Sequence, residues 1–186
     1  ASRGLGDVYK RQGDSVLSGW DDKMPSAYEE AWGLTTSPAV INGVSGNNLF
    51  IYDSPSFSGL TVHASYLNEN QGTTATGSQA QYSDMGIQFV PEMVEGLTLG
   101  YAVGEVDETA LTTGTEVKGT DESTMFVTYA YGPVTVGYQS SEADGTTATQ
   151  DDDSNAMGIS YAVSDSLTIS YTEHEMDLGS STTDQE

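Results

Sequence analysis

The chain has 186 residues, of which 28 are Asp or Glu and five are Lys or Arg, giving a formal net charge of −23. Apolar residues make up 36%, below the roughly 45–50% of ordinary globular chains, and the absence of Cys excludes disulfide scaffolds, thiolate zinc sites and cysteine nucleophiles. The longest apolar run, Leu49–Tyr52, falls far short of the roughly 20 residues of a membrane helix. So acidic a chain lacks the Lys and Arg clusters that nucleic acid requires, and with only His63 and His174 neither a metal site nor a cofactor is expected.

In chain order, the first distinctive tract is Asp7-Val8-Tyr9-Lys10-Arg11-Gln12. It looks like the in-frame translation of a transposase adaptor used in preparing sequencing libraries. Residues 1–12 are therefore expected to be a non-native tail, and 13–186 the domain proper. Residues 13–186 set Lys23 and Lys118 against 27 acids, a net charge of −25. Trp20–Trp32 carries the only helix signal, because Ser26 and Glu29 form a capping box followed by unbroken sequence to Gly33.

Eight segments then follow: Leu49–Tyr52, Leu60–Tyr66, Met85–Val90, Leu97–Val103, Met125–Tyr131, Val134–Gln139, Met157–Val163 and Leu167–Thr172. None contains Asp, Glu, Lys or Arg. Charge sorted this cleanly argues against a disordered polyanion. In most of them apolar residues alternate, as in Leu97, Leu99, Tyr101 and Val103, and period two means strand. Met125–Tyr131 fits except for Phe126.

The strands repeat as hairpins, with Thr61, Thr98, Thr135 and Thr168 spaced 37, 37 and 33 residues apart in related Leu/Val-Thr-Leu/Val/Ile contexts. Short connectors (53–59, 91–96, 132–133, 164–166) strictly alternate with long acidic ones (67–84, 104–124, 140–156). In an up-and-down meander this puts every tight turn at one rim and every long loop at the other, the asymmetry of outer-membrane barrels. One face of the strands is continuously aliphatic and aromatic, and no segment could cover it in water, whereas lipid can. Leu97, Leu99, Tyr101, Val134, Val136 and Tyr138 are expected on this outer face. Tyr66, Phe89, Tyr101, Tyr129, Tyr138, Tyr161 and Tyr171 are expected as an interfacial girdle. The opposite face carries Thr61, His63, Ser65, Thr98, Thr135 and Thr168, expected to line a lumen. Gly179–Glu186 reads as polar loop, and the chain is expected to be an internal fragment.

On the hairpin repeat, on Tyr129-Ala-Tyr-Gly-Pro-Val-Thr-Val-Gly-Tyr138 and above all on Asp22-Lys-Met-Pro-Ser-Ala-Tyr-Glu-Glu-Ala-Trp32, residues 14–178 resemble the general porins of Gram-negative outer membranes, trimeric sixteen-strand diffusion channels. The resemblance implies an all-β antiparallel meander of about eight strands from a transmembrane barrel, with one short helix in a loop folded into the pore. Residues 19–46 are similar to that constriction loop, which makes Asp21, Asp22, Glu29 and Glu30 the candidate pore acids. The implied function is passive diffusion of small hydrophilic solutes and ions in an outer membrane, with lipid around a homotrimer; the grouped acids of residues 13–186, opposed only by Lys23 and Lys118, add an expected cation preference. The rival is a secreted acidic β-repeat adhesin or calcium-binding surface protein using Asp107-Glu108 and Asp151–Asp153. No enzyme is expected, since catalysis would need a Ser or Asp held near a His.

Overall fold

The structure is a computed structural model. It describes residues 7–25, 40–41, 43–68, 81–106, 109–110, 116–117, 119–145, 151–179 and 181–185. Ten strands form one sheet: β1 (Asp7–Asp14), β2 (Ser45–Asp53), β3 (Leu60–Leu67), β4 (Tyr82–Phe89), β5 (Leu97–Val106), β8 (Thr120–Tyr131), β9 (Val134–Gly145), β10 (Asp152–Ser164), β11 (Leu167–Leu178) and β12 (Ser181–Gln185). Between β5 and β8, β6 (Thr109–Ala110) and β7 (Glu116–Val117) make a separate two-stranded ladder. Each strand of the main sheet pairs antiparallel with its neighbours in the chain order just given, so the expected meander forms, open at β1 and β12. The helix expected from Ser26 lies outside the described residues.

Two features exceed the sequence reading. The strands outrun their apolar cores: Asp84, Glu105, Asp121, Glu122, Glu142, Asp144, Asp152, Asp153, Glu173, Glu175 and Asp177 all lie within strands rather than between them. Ladder bonds are made by the main chain and continue wherever the backbone stays extended. For the same reason β1, which includes Asp7–Gln12, pairs with β2 without apolar alternation, and Ser181–Gln185, expected as loop, pairs with β11.

The short-turn rim depends on glycine at two positions. Gly59 and Gly96 hold φ of 85° and 84°, where only glycine is free of steric cost. A Cβ on either would stand 2.1 Å from Val90 O or 2.0 Å from Ala130 O. That close approach lets Val90 N and Ala130 N donate to Gly59 O and Gly96 O at 2.9 Å, lacing adjacent turns together.

The two faces separate as alternation requires. One face carries the segment Ser15–Pro25. The six expected outer residues stand on the other face, where the seven expected girdle aromatics are all exposed. On that outer face the last apolar residue before the acidic extension is Tyr66 on β3, Met85 on β4, Val103 on β5, Met125 on β8, Tyr138 on β9, Met157 on β10 and Tyr171 on β11. These are not paired with one another along a single row. Following the registers, the border steps down four outward rows, eight residues, from β3 to β11 across six strand intervals. At about 3.3 Å per residue and about 4.8 Å per interval the border is inclined by about 40° to the paired rows. Strands of membrane barrels tilt by roughly 35–45°, so a level lipid boundary drawn on this sheet must cut the rows at that angle.

Leu99 and Glu173 test the inclination, because they share one row through Val127, Tyr138 and Met157 yet fall on opposite sides of the border. Leu99→Arg is expected to cost about 2–4 kcal/mol of folding into lipid vesicles, and Glu173→Arg about 0–1 kcal/mol. Denaturant titration of refolding in vesicles measures both.

Candidate functional site

The connection from β1 to β2 turns back over the inner face instead of leaving it. Its neck is closed by Ser15 N donating to Val44 O at 2.8 Å and Val44 N donating to Ser15 Oγ at 3.1 Å. From there the segment crosses the wall strand by strand. Val16 N donates to Ser65 Oγ on β3 at 3.2 Å and Leu17 N to Asp84 Oδ2 on β4 at 2.9 Å. Asp84, 6% exposed, also accepts from Tyr82 OH at 3.0 Å and from Ser65 Oγ. Further on, Lys23 N donates to Gln139 Oε1 on β9 at 2.7 Å, and Gln139 Nε2 donates to Trp20 O at 2.6 Å. On the return limb Gly43 N donates to Glu122 Oε2 on β8 at 3.0 Å.

Apolar contacts seat the same segment. Trp20 packs edge-on against His63 and Phe126, with ring centroids 5.6 and 5.2 Å away, in a cluster with Val16, Leu17, Val40, Ile41, Ala102, Ala143 and Met176. The wall makes room by lacking side chains. A Cβ on Gly86 would lie 2.7 Å from Val16 Cγ1 and 3.0 Å from the Trp20 ring, and one on Gly137 would lie 2.6 Å from Pro25 Cδ.

On five strands a contact of Ser15–Pro25 falls one residue from the outer border: Ser65 beside Tyr66, Asp84 beside Met85, Phe126 beside Met125, Gln139 beside Tyr138 and Gly158 beside Met157. On these strands the segment therefore follows the inclined border of the opposite face.

At its far end Asp21 and Asp22 project over β9 and β10, beside Gln139, Ser141, Ser154 and Ala156. Asp22 is exposed and Asp21 half-buried. Burial, reinforced by the neighbouring Asp22 charge, pushes the Asp21 carboxyl up to about 6. Glu29 and Glu30 lie outside the described residues. Among the other expected residues, His63 and Ser65 touch the segment, whereas Thr61, Thr98, Thr135 and Thr168 share the inner-face parity nearer the short turns. His63 Nδ1 meets Asp53 Oδ1 at 2.7 Å, but its Nε2 has no hydrogen-bond partner among the described residues, so the pair lacks the hydroxyl of a nucleophilic triad. Asp107 and Glu108 lie outside the described residues, and among the described ones no group of three or more His, Asp or Glu is placed to hold a metal ion.

Sequence reasoning missed Asp84, Glu122, Gln139 and Trp20 as anchors. One signal was present: Phe126 broke the alternation of its strand, and it does so because it faces inward onto Trp20.

A family model described as Gram-negative porin matches residues 7–186. Among solved structures, an anion-selective porin from Comamonas acidovorans superposes with a TM-score of 0.64 at 19% identity, covering 93% of this chain and 54% of that one. The chain thus spans about half the length of that porin. No curated protein matches it.

Proposed function

The chain belongs to the Gram-negative porin family of the bacterial outer membrane, and on that premise we propose that it forms part of the wall of a passive, cation-preferring diffusion channel for small hydrophilic solutes. The observation that carries this reading is the inward-folded segment Ser15–Pro25, fixed to the wall at Asp84, Gln139 and, on the return limb, Glu122, with Asp21 and Asp22 held at its far end. In this reading Asp21 and Asp22 stand at the constriction, joined by Glu29 and Glu30 further along the loop, and Thr61, His63, Ser65, Thr98, Thr135 and Thr168 line the lumen. Residues 1–12 are kept as a non-native tail and 13–186 as a partial barrel. The exposed apolar outer face meets lipid and, in the complete protein, two further copies in a trimer. Family membership replaces the secreted β-repeat reading.

Cation preference is supported by charge: acids grouped in a narrow, low-dielectric mouth raise the local concentration of cations, and residues 13–186 hold only Lys23 and Lys118 against 27 acids. The Comamonas porin is anion-selective by its name, but at 19% identity the likeness carries the fold alone. Reversal potentials of the complete channel under a KCl gradient decide the matter, at 1 M salt as well as at 0.1 M, because rim charges are screened within about 3 Å at the higher concentration. Potassium preference is expected, reduced by Asp21→Asn with Asp22→Asn; chloride preference refutes the reading. The sign of the pH effect follows from Asp21. Raised to about 6, its carboxyl is charged above that value and neutral below it, so potassium preference is expected to fall between pH 7 and pH 5, above the ordinary carboxylate range near 4.

A further inference from the structure

We propose that Gln139 is a positioning residue whose side-chain amide splices into the turn carrying Asp21 and Asp22 and so sets where those carboxylates stand in the pore. The proposal rests on the reading of the segment as the pore constriction.

Trp20 O and Lys23 N are the two groups that face each other across a four-residue turn, with Asp21 and Asp22 at its tip. Gln139 reaches both, donating from Nε2 to Trp20 O at 2.6 Å and accepting at Oε1 from Lys23 N at 2.7 Å. A carbonyl can only accept and a backbone N–H can only donate, so this pair of partners fixes the amide orientation without ambiguity. The second Nε2 hydrogen goes to Thr124 Oγ1 at 3.0 Å, and Thr124 is itself held by Ser141 Oγ at 2.8 Å. The amide is 4% exposed and has both donors and its oxygen engaged, so no rotamer change is open to it without stranding a buried polar group.

The chemistry also explains why the residue is Gln. Asn is one methylene shorter and cannot span from the β9 backbone to both ends of the turn. Glu keeps the acceptor for Lys23 N and can accept from the Thr124 hydroxyl, but has no hydrogen to donate to Trp20 O. A Met of equal length fills the space and makes none of the three bonds. Below the turn, Gly137 leaves the room in which Pro25 lies flat on the wall, so the amide and the glycine two residues before it together define the height and tilt of the acidic tip. With the tip clamped there, both carboxylates stand beside Ser141 and Ser154, Asp21 half-buried and Asp22 exposed.

The test uses the complete channel and the variant Gln139→Met, with Gln139→Glu as a second variant should the first not fold; heat-modifiable gel migration reports folding of each. A nitroxide placed at residue 23 through Lys23→Cys reads the clamp directly. It is expected to be immobilised with Gln139 present and to gain a mobile component in either variant. In unlabelled channels Gln139→Met is expected to lower the potassium-to-chloride permeability ratio by about twofold or more. In the Asp21→Asn, Asp22→Asn background it should lower the ratio no further, the non-additivity expected of groups acting as a unit. An unchanged nitroxide spectrum overturns the clamp. A mobilised nitroxide with an unchanged ratio overturns its role in selectivity, as does an equal fractional drop in the doubly substituted background. If the double Asn substitution itself leaves the ratio unchanged, the constriction reading fails, and the nitroxide then still reports whether the clamp exists as a structural contact.

Discussion

Replacing Trp20 by Ala is expected to release the inward-folded segment from the wall at a cost of about 3–5 kcal/mol, the range for removing a buried aromatic. The indole is 8% exposed and bridges three strands, meeting His63 on β3, Gly86 on β4 and Phe126 on β8. Deleting it leaves a cavity that cannot collapse, because the wall behind it is a hydrogen-bonded sheet whose strands cannot shift inward one at a time. The loss should be local: the ladders remain while the segment opens. Limited proteolysis of the folded channel should cut within residues 15–44 in the variant and not in the parent, and unitary conductance should rise. Equal protection in parent and variant would show that the indole does not seat the segment.

Asp84→Ala is expected to act comparably by a different route. The carboxylate accepts from Leu17 N, Tyr82 OH and Ser65 Oγ in a site that is 6% exposed. Alanine strands all three donors, and each buried unsatisfied group costs about 1–3 kcal/mol. The segment should therefore detach at its β4 end, with Leu17, which is fully buried, losing its seat. Asp84→Asn keeps one acceptor oxygen and should lose less. Hydrogen exchange at Leu17 N reads the effect directly, and equal protection in Asp84→Ala and the parent would contradict the assignment.

The sheet was legible because alternation in Leu97–Val103 or Met157–Val163 states both the strand and the face that meets lipid. The inclined border was not, because it exists only once registers fix which outward residues share a row. The anchors were hidden for a related reason. Asp84 and Glu122 lie in strand extensions where apolar alternation has ended, so their acidity read as loop, although their parity already placed them on the inner face. Gln139 ended an apolar strand and looked like an ordinary boundary residue; only the path of residues 15–25 adds Trp20 O and Lys23 N to Thr124 as partners of its amide. Asp21 and Asp22 were found through resemblance, since two adjacent acids in a polar stretch carry no physical signal of burial.

The central claim, that Ser15–Pro25 stands in the conducting path, is tested most directly at Asp22. This chain contains no Cys, so Asp22→Cys, in a complete channel with any cysteine elsewhere replaced by Ser, provides a single reactive thiol on an exposed residue. Adding a cationic thiol reagent to a single conducting channel is expected to reduce the unitary current in discrete, irreversible steps, with a fall in potassium preference as fixed positive charge accumulates. Complete labelling that leaves both the unitary current and the reversal potential unchanged would contradict the account.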